Sequence, residues 1–201
     1  MISNYSDILA FAKEHKVTIG AFNTFNMEMM QAVVSAADKK QVPLIAQTYH
    51  AHADYAGADY MRAIYGVAAE HASVNIALGL DHGKSFAQAE TCVKAGYTGL
   101  MIDLASEDYD KNVAETKRVV ELAHAKGVSV EGERGVIDDA DLSLEEIAAG
   151  YTDPEVARRF AKDTGGDCLA VSVGTAHGTY AHTPKINFDL LKELVDTVCC
   201  P

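Results

Sequence analysis

An acid and an imidazole follow directly after an apolar run near the middle of the chain. Residues Ile76–Leu80 are apolar, and Asp81 and His82 come next, before Gly83. An apolar run of this length between helical stretches is typical of a buried strand. A carboxylate at such a strand end can move a proton, and an imidazole can bind a metal ion. We therefore predict that this strand end carries the chemistry of the protein.

Three further residues with metal-binding side chains follow other apolar runs, namely Asp103, Glu133 and His177. With His82 they make two imidazoles and two carboxylates, which are ligand types that suit Zn²⁺. The alternative for any one histidine after a strand is that it only caps a helix or bonds a backbone carbonyl. Five such residues at strand ends favour a divalent metal site.

The adjacency of Asp81 and His82 sets a geometric condition. Successive residues of a strand point to opposite sides, so we expect the strand to end between these two if both face one site. Asp81 could instead serve only as the electrostatic partner of the following helix N-terminus. Gly178, directly after His177, offers a backbone N–H that could approach an anion closely.

Apolar runs alternate with amphipathic helical stretches along the whole chain. The predicted strands are Val17–Phe22, Leu44–Gln47, Ile76–Leu80, Thr98–Ile102, Val128–Val130 and Cys168–Val173. The candidate residues follow these strands, which indicates an α/β (β/α)₈ TIM barrel with its site at the carboxyl ends. The alternative is an open doubly wound sheet, which usually has a Gly-rich loop after its first strand. Residues 23–26 read Asn-Thr-Phe-Asn at that place.

The number of predicted strands is too small for a complete barrel. A barrel needs eight strands, and this chain supplies an N-terminal helix and about six βα units. We predict one domain over residues 1–201, an incomplete barrel that lacks the last two units. Ser6 is the predicted cap of the first helix, over Asp7–His15. His50 and His52 fall in a predicted loop and receive no role.

Composition limits the classes of partner. The chain has 201 residues, of which 48% are hydrophobic, and a formal net charge of −12. This charge argues against nucleic acid and against anionic membrane surfaces as partners. The chain has no run of about 18 apolar residues and no basic-then-apolar N-terminus. With four cysteines that suggest no disulfide framework, we expect a cytoplasmic protein.

Several motifs in a fixed order are recognisable as those of one family. They are Ala21-Phe22-Asn23-x-x-Asn26, Leu80-Asp81-His82-Gly83, Met101-Ile102-Asp103, Val130-Glu131-x-Glu133-x-Gly135, Tyr151-Thr152-Asp153-Pro154 and Gly174-Thr175-Ala176-His177-Gly178-x-Tyr180. Together they resemble the class II, zinc-dependent ketose-bisphosphate aldolases, over essentially the whole chain. The family includes fructose- and tagatose-bisphosphate aldolases.

The resemblance implies a TIM barrel that reversibly cleaves fructose or tagatose 1,6-bisphosphate. The products are dihydroxyacetone phosphate and glyceraldehyde 3-phosphate, in carbohydrate metabolism such as glycolysis. By position, His82 and His177 match zinc ligands. Asp103 and Glu133 match the auxiliary carboxylates of an alternative metal position. A homo-oligomer, dimer or tetramer, is the implied assembly.

The remaining motif residues match positions that handle the substrate. Asp81 matches the acid or base that moves a proton at the substrate hydroxyl. Gly178 matches a backbone contact to the phosphate or to a neighbouring monovalent cation such as Na⁺ or K⁺. Asn23 matches a substrate-binding position.

Departures from the family pattern leave two other functions open. The third zinc histidine of the family follows strand seven, and Pro201 is the last residue of this sequence. Tyr49 replaces a serine, Arg134 replaces a leucine, and Asp141 is the nearest substitute for the mobile-loop glutamate. One alternative is a metal aldolase of the same family with a different acceptor aldehyde. The other is a catalytically inactive truncated fragment.

Overall fold

The computed structural model describes residues 1–135, 143–180 and 183–201. The predicted loop acid Asp141 lies outside these residues. The helices are α1 (Tyr5–His15), α2 (Met27–Lys40), α3 (His50–Ala56), α4 (Ala58–Glu70), α5 (Phe86–Ala95), α6 (Tyr109–His124), α7 (Leu144–Ala149), α8 (Pro154–Thr164) and α9 (Phe188–Thr197). The strands are β1 (Ala21–Asn23), β2 (Leu44–Tyr49), β3 (Ile76–Gly83), β4 (Gly99–Ile102), β5 (Ser129–Arg134) and β6 (Cys168–Val171).

The strands are hydrogen-bonded in the order in which they occur along the chain, β1-β2-β3-β4-β5-β6. The first three pairs are parallel. A doubly wound sheet reverses its strand order at a switch point, whereas a barrel adds each strand beside the previous one. The sequential order therefore favours the barrel over the open sheet.

The chain divides into two compact units. The first comprises Met1–Asp103 and Arg118–Glu131, and the second comprises Leu104–Lys117 and Gly132–Pro201. The first holds β1 to β4 with helices α1 to α5, and β3 and β4 are its most buried strands. In the second, α8 packs against β6 and α9. None of the helices in the described ranges is long and apolar enough to cross a bilayer.

The first strand is shorter than its apolar run predicted. Ala21 pairs with Ile45, so residues before Gly20 would need partners ahead of Leu44 on β2. Pro43 stands there, and proline has no N–H to donate to a ladder. The strand is therefore limited to Ala21–Asn23.

Helix α1 is capped by Asn4 rather than by Ser6, because the Asn4 side chain accepts a hydrogen bond from the Asp7 N–H. The Ser6 hydroxyl instead lies 3.0 Å from the Ser129 hydroxyl at the start of β5. Helix α3 was predicted as a loop. It has seven residues and no side-chain cap, so the usual sequence signals for a helix start are absent.

A buried tyrosine occupies the space that two glycines leave between β3 and β4. Gly79 and Gly99 are paired across the two strands. A Cβ atom at either position would overlap the side chain of Tyr5, which is only 2% exposed. The glycines are required here because the tyrosine of α1 packs directly on the strands.

We expect Gly99→Ala to destabilise the fold by about 1–3 kcal/mol, the range found for overpacked cores. Urea denaturation of the variant measures this loss. In a Tyr5→Ala background the same glycine substitution should cost clearly less, since the obstructing ring is gone. Equal costs in both backgrounds would show that Tyr5 is not the obstacle.

Candidate active site

The third strand carries a β-bulge at the acid and the imidazole. Leu80 pairs with Leu100 and Gly83 pairs with Ile102, so three steps along β3 match two along β4. His82 takes up the extra residue with a φ of 51°, in the left-handed region. Such a conformation costs a non-glycine residue about 1–3 kcal/mol and is concentrated at functional sites. The prediction that the strand ends between Asp81 and His82 is wrong, because the strand continues to Gly83. The bulge, and not a strand end, breaks the alternation of side chains between the two faces.

Asp81 is buried, and each of its carboxylate oxygens has a different neighbour. The Asn23 Nδ2 donates a hydrogen bond to Asp81 Oδ2 at 3.0 Å. Asp81 Oδ1 lies 4.0 Å from Nε2 of His82. Asn23 thus fixes the orientation of the carboxylate, whose second oxygen remains on the side of the imidazole.

His82 is held through its other ring nitrogen. Its Nδ1 lies 2.8 Å from Oδ2 of Asp103, at the carboxyl end of β4. A carboxylate on Nδ1 favours the tautomer that carries its proton there, in which Nε2 is the ring nitrogen with the lone pair. This carboxylate–histidine arrangement is the usual support of a metal-ligating imidazole. The donors therefore fit a divalent metal ion bound by Nε2 of His82.

Lys84 also bonds to the carboxylate that holds His82. Its Nζ donates to Oδ2 of Asp103, the same oxygen that receives the His82 Nδ1. The Lys84 N–H is bonded to the Gln88 side chain, which ties it to the start of α5. The position of Lys84 in the sequence did not predict this contact, since the contact depends on where the neighbouring strand β4 ends.

Glu131 is a further acid of this site, and sequence reasoning gave it no role. Burial and, second, the nearby Asp81 carboxylate raise the pKa of Glu131 to about 7, while His82 acts in the opposite direction. The charged form of Glu131 is thus disfavoured next to the charged form of Asp81. The signal that could have found it is the Glu131-Gly132-Glu133 alternation, which places two acids on one face of a strand.

The raised pKa of Glu131 predicts a pH effect on stability. In the unfolded chain Glu131 releases its proton near the ordinary glutamate pKa of 4.5. In the folded chain it keeps that proton to a higher pH. The folded state therefore binds more protons from about pH 4.5 to 7, and stability falls as the pH rises through that window. The loss is on the order of 3 kcal/mol.

Denaturation by urea at about pH 5 and pH 8, with chelator present, measures this fall. In Glu131→Gln the contribution should be missing, while all other titrating groups are kept. A variant that loses as much stability over this range as the unsubstituted chain would contradict the assignment.

Aromatic and imidazole rings lie beside the acid and the imidazole. The Tyr49 ring centroid is 6.3 Å from that of His82 and 4.3 Å from that of His50. The His52 ring lies edge-on to Tyr49, at 5.8 Å between centroids, and tilted to Phe25, at 4.9 Å. Burial and, second, the positive charge of Lys84 lower the pKa of His50. The pair expected in a loop without a role thus belongs to α3 and flanks the site.

In the second unit, Glu133 is 3% exposed and lies within β5 rather than after it. Its backbone carbonyl accepts a hydrogen bond from the buried Asn112, at 3.3 Å, and Asn112 is held in turn by Thr116 at 3.0 Å. The next residue, Arg134, packs against the ring of Tyr109, with 5.7 Å between guanidinium and centroid. The buried amide network fixes this end of the strand.

His177 and Gly178 follow β6 in an extended turn. Gly178 has a φ of 89° and Gly174 one of 115°, values that favour glycine. The Tyr180 hydroxyl bonds both the N–H and the carbonyl of Ala176, each at 2.7 Å. This clamp shapes the turn that carries His177. The ligand role of His177 and the anion contact of Gly178 stay predictions.

Comparison with known proteins gives one consistent family. The family described as fructose-bisphosphate aldolase class-II matches residues 3–201. The chain is 42% identical over 176 residues to a fructose-bisphosphate aldolase of Thermus caldophilus, covering 87% of this chain and 57% of that protein. It is 34% identical over 198 residues to the fructose-bisphosphate aldolase of Geobacillus stearothermophilus, covering 97% of this chain and 69% of that protein.

A solved structure is similar over the full chain. The YdjI aldolase from Escherichia coli K12 superposes with a TM-score of 0.88 at 29% identity, covering 100% of this chain and 71% of that one. The chain thus spans between about half and three quarters of the length of the relatives that it matches. The family and the barrel fold predicted from the motifs are confirmed.

Proposed function

Because the chain belongs to the class II fructose-bisphosphate aldolase family, we propose that it carries out the reversible, zinc-dependent aldol cleavage of a ketose bisphosphate. The substrate is fructose or tagatose 1,6-bisphosphate, and the products are dihydroxyacetone phosphate and glyceraldehyde 3-phosphate. One observation carries the proposal: Asp81 and His82 are neighbours at a bulge, and each has its own orienting partner. A proton carrier and a metal ligand can therefore act side by side.

The proposed ligands are His82 and His177, with Asp103 and Glu133 as auxiliary carboxylates. The support for His82 is the carboxylate on its Nδ1, which favours the tautomer with the lone pair on Nε2. A bound zinc ion would supply Lewis-acid charge to the substrate oxygens. Gly178 is the proposed backbone contact to the phosphate or to a Na⁺ or K⁺ ion.

Asp81 is proposed to accept the proton of the substrate hydroxyl next to the bond that breaks, and to return it during synthesis. Asn23 supports this role because it fixes one carboxylate oxygen, while the other lies on the side of the His82 imidazole. Asn23 also has a second amide atom that can bond a substrate hydroxyl. Glu131, whose pKa is raised to about 7, can take up or release a proton in this part of the site at neutral pH.

The rings around Tyr49 favour a second candidate, a metal aldolase of the same family with a different acceptor aldehyde. Tyr49 is partly exposed and lies against His82, where the family pattern has a small hydroxyl side chain. The Tyr49 ring offers an apolar face in place of that small hydroxyl, and its own hydroxyl stands at the far end of the ring. Arg134, in contrast, gives this candidate no support because it packs on Tyr109.

The release of dihydroxyacetone phosphate from fructose and tagatose bisphosphates, with zinc added and with a chelator as control, tests the proposal. We expect chelator-sensitive release from at least one of the two. Release only from ketose phosphates with other aldehyde halves would favour the second candidate. No release from any of them, with zinc bound, would contradict both and favour the inactive alternative.

Assembly and compartment are part of the same proposal. We propose a homo-oligomer, dimer or tetramer, in the cytoplasm. Light scattering on the eluting peak of a gel-filtration column measures the mass of the assembly. A single species with the mass of one chain would contradict the oligomer.

A further inference from the structure

Two donors compete for one carboxylate oxygen beside the proposed metal ligand. Oδ2 of Asp103 receives both Nδ1 of His82 and Nζ of Lys84. The Lys84 side chain is 50% exposed, whereas those of His82 and Asp103 are 16% and 14% exposed. The ammonium thus reaches in from solvent to a hydrogen bond that is otherwise shielded.

The direction of the effect on the imidazole follows from charge. A carboxylate on Nδ1 raises the basicity of an imidazole as a ligand, because it draws the Nδ1 proton toward itself. An ammonium on the same oxygen takes up part of the negative charge and weakens that pull. It also places a positive charge one side chain away from a cation on Nε2, which repels that cation.

We propose that Lys84 is a positioning residue that lowers the affinity of His82 for its metal ion, because it shares the carboxylate of Asp103. The inference rests on the metal site proposed above. A metal ion that receives less negative charge from its protein ligands keeps more of its positive charge. It therefore polarises the oxygen atoms of the substrate more strongly. Lys84 would thereby set the balance between metal affinity and Lewis acidity.

The test compares Lys84→Met, which keeps the length of the side chain and removes its charge, with Lys84→Arg as the matched control. Zinc dissociation constants are measured on the 201-residue chain by competition with a chromophoric chelator. We expect Lys84→Met to bind zinc about 5-fold tighter, less than the 10–100-fold effects of groups that bond a ligand directly. Lys84→Arg should stay within about 2-fold of the unsubstituted chain.

A second readout needs no metal. In the metal-free chain the Nδ1–H proton of His82 should move downfield in Lys84→Met, because its hydrogen bond to Asp103 strengthens. A purely structural lysine would leave this proton unshifted or broaden it. Zinc affinity that is unchanged or weaker in Lys84→Met, with this proton unmoved, would overturn the inference.

Failure of the underlying metal site is distinguishable from failure of this inference. If the unsubstituted chain and His82→Ala bind zinc equally, the metal site itself is wrong and the inference falls with it. If zinc binding depends on His82 but Lys84→Met does not tighten it, only the role of Lys84 is refuted.

Discussion

Asp81→Asn should lower the turnover of ketose bisphosphate by about 10²–10⁴-fold, the usual contribution of a positioned acid or base. The introduced amide cannot accept a proton, yet it keeps the shape of the side chain and an oxygen for the Asn23 hydrogen bond. Zinc affinity should change by no more than a few-fold. Coupled detection of dihydroxyacetone phosphate measures the first quantity, and chelator competition the second.

The matched control is Asp59→Asn, which makes the same chemical change at an exposed position in the first turn of α4. This variant should retain the activity of the unsubstituted chain. Turnover by Asp81→Asn within a few-fold of that activity would remove Asp81 from the proposed proton transfer.

His82→Ala should lower zinc affinity by at least about 100-fold, since loss of a group that only supports a ligand already costs 10–100-fold. Turnover should be lost in parallel and should recover in part at high zinc concentration. The fold should remain, because the bulge is held by pairing on both sides, at Leu80 and at Gly83. Zinc titration and thermal melting by circular dichroism measure the two quantities.

His71→Ala is the control for this substitution, since His71 is an exposed histidine at the end of α4. Its zinc affinity should equal that of the unsubstituted chain. A comparable loss in both variants would indicate nonspecific zinc binding by surface imidazoles. Unchanged affinity in His82→Ala would remove His82 from the ligand set.

The strand ends that carry the candidate residues were predictable from the sequence, because apolar runs are local patterns. The parallel strands place Asp81, His82 and Asp103 at carboxyl ends, as expected from the order of strands and helices. Helix starts with a local signal, such as Ser85 before α5 and Asp153 with Pro154 at α8, were also predictable.

The bulge was not predictable, because no glycine marks its strained residue. His82 adopts a left-handed φ since β3 pairs with β4 on both sides of it, and that register depends on strands far apart in sequence. For the same reason the sequence could not assign Asp103 to the support of His82 or find Lys84 on its carboxylate. Glu131 likewise acquires its raised pKa only from burial beside Asp81.

We propose separate roles for the two neighbours at the bulge, His82 as metal ligand and Asp81 as proton carrier. Zinc K-edge X-ray absorption on the zinc-loaded chain tests this division most directly, because imidazole ligands give a characteristic outer-shell scattering pattern. We expect one imidazole fewer in His82→Ala and an unchanged pattern in Asp81→Asn. An unchanged pattern in His82→Ala, or loss of a zinc ligand in Asp81→Asn, would contradict it.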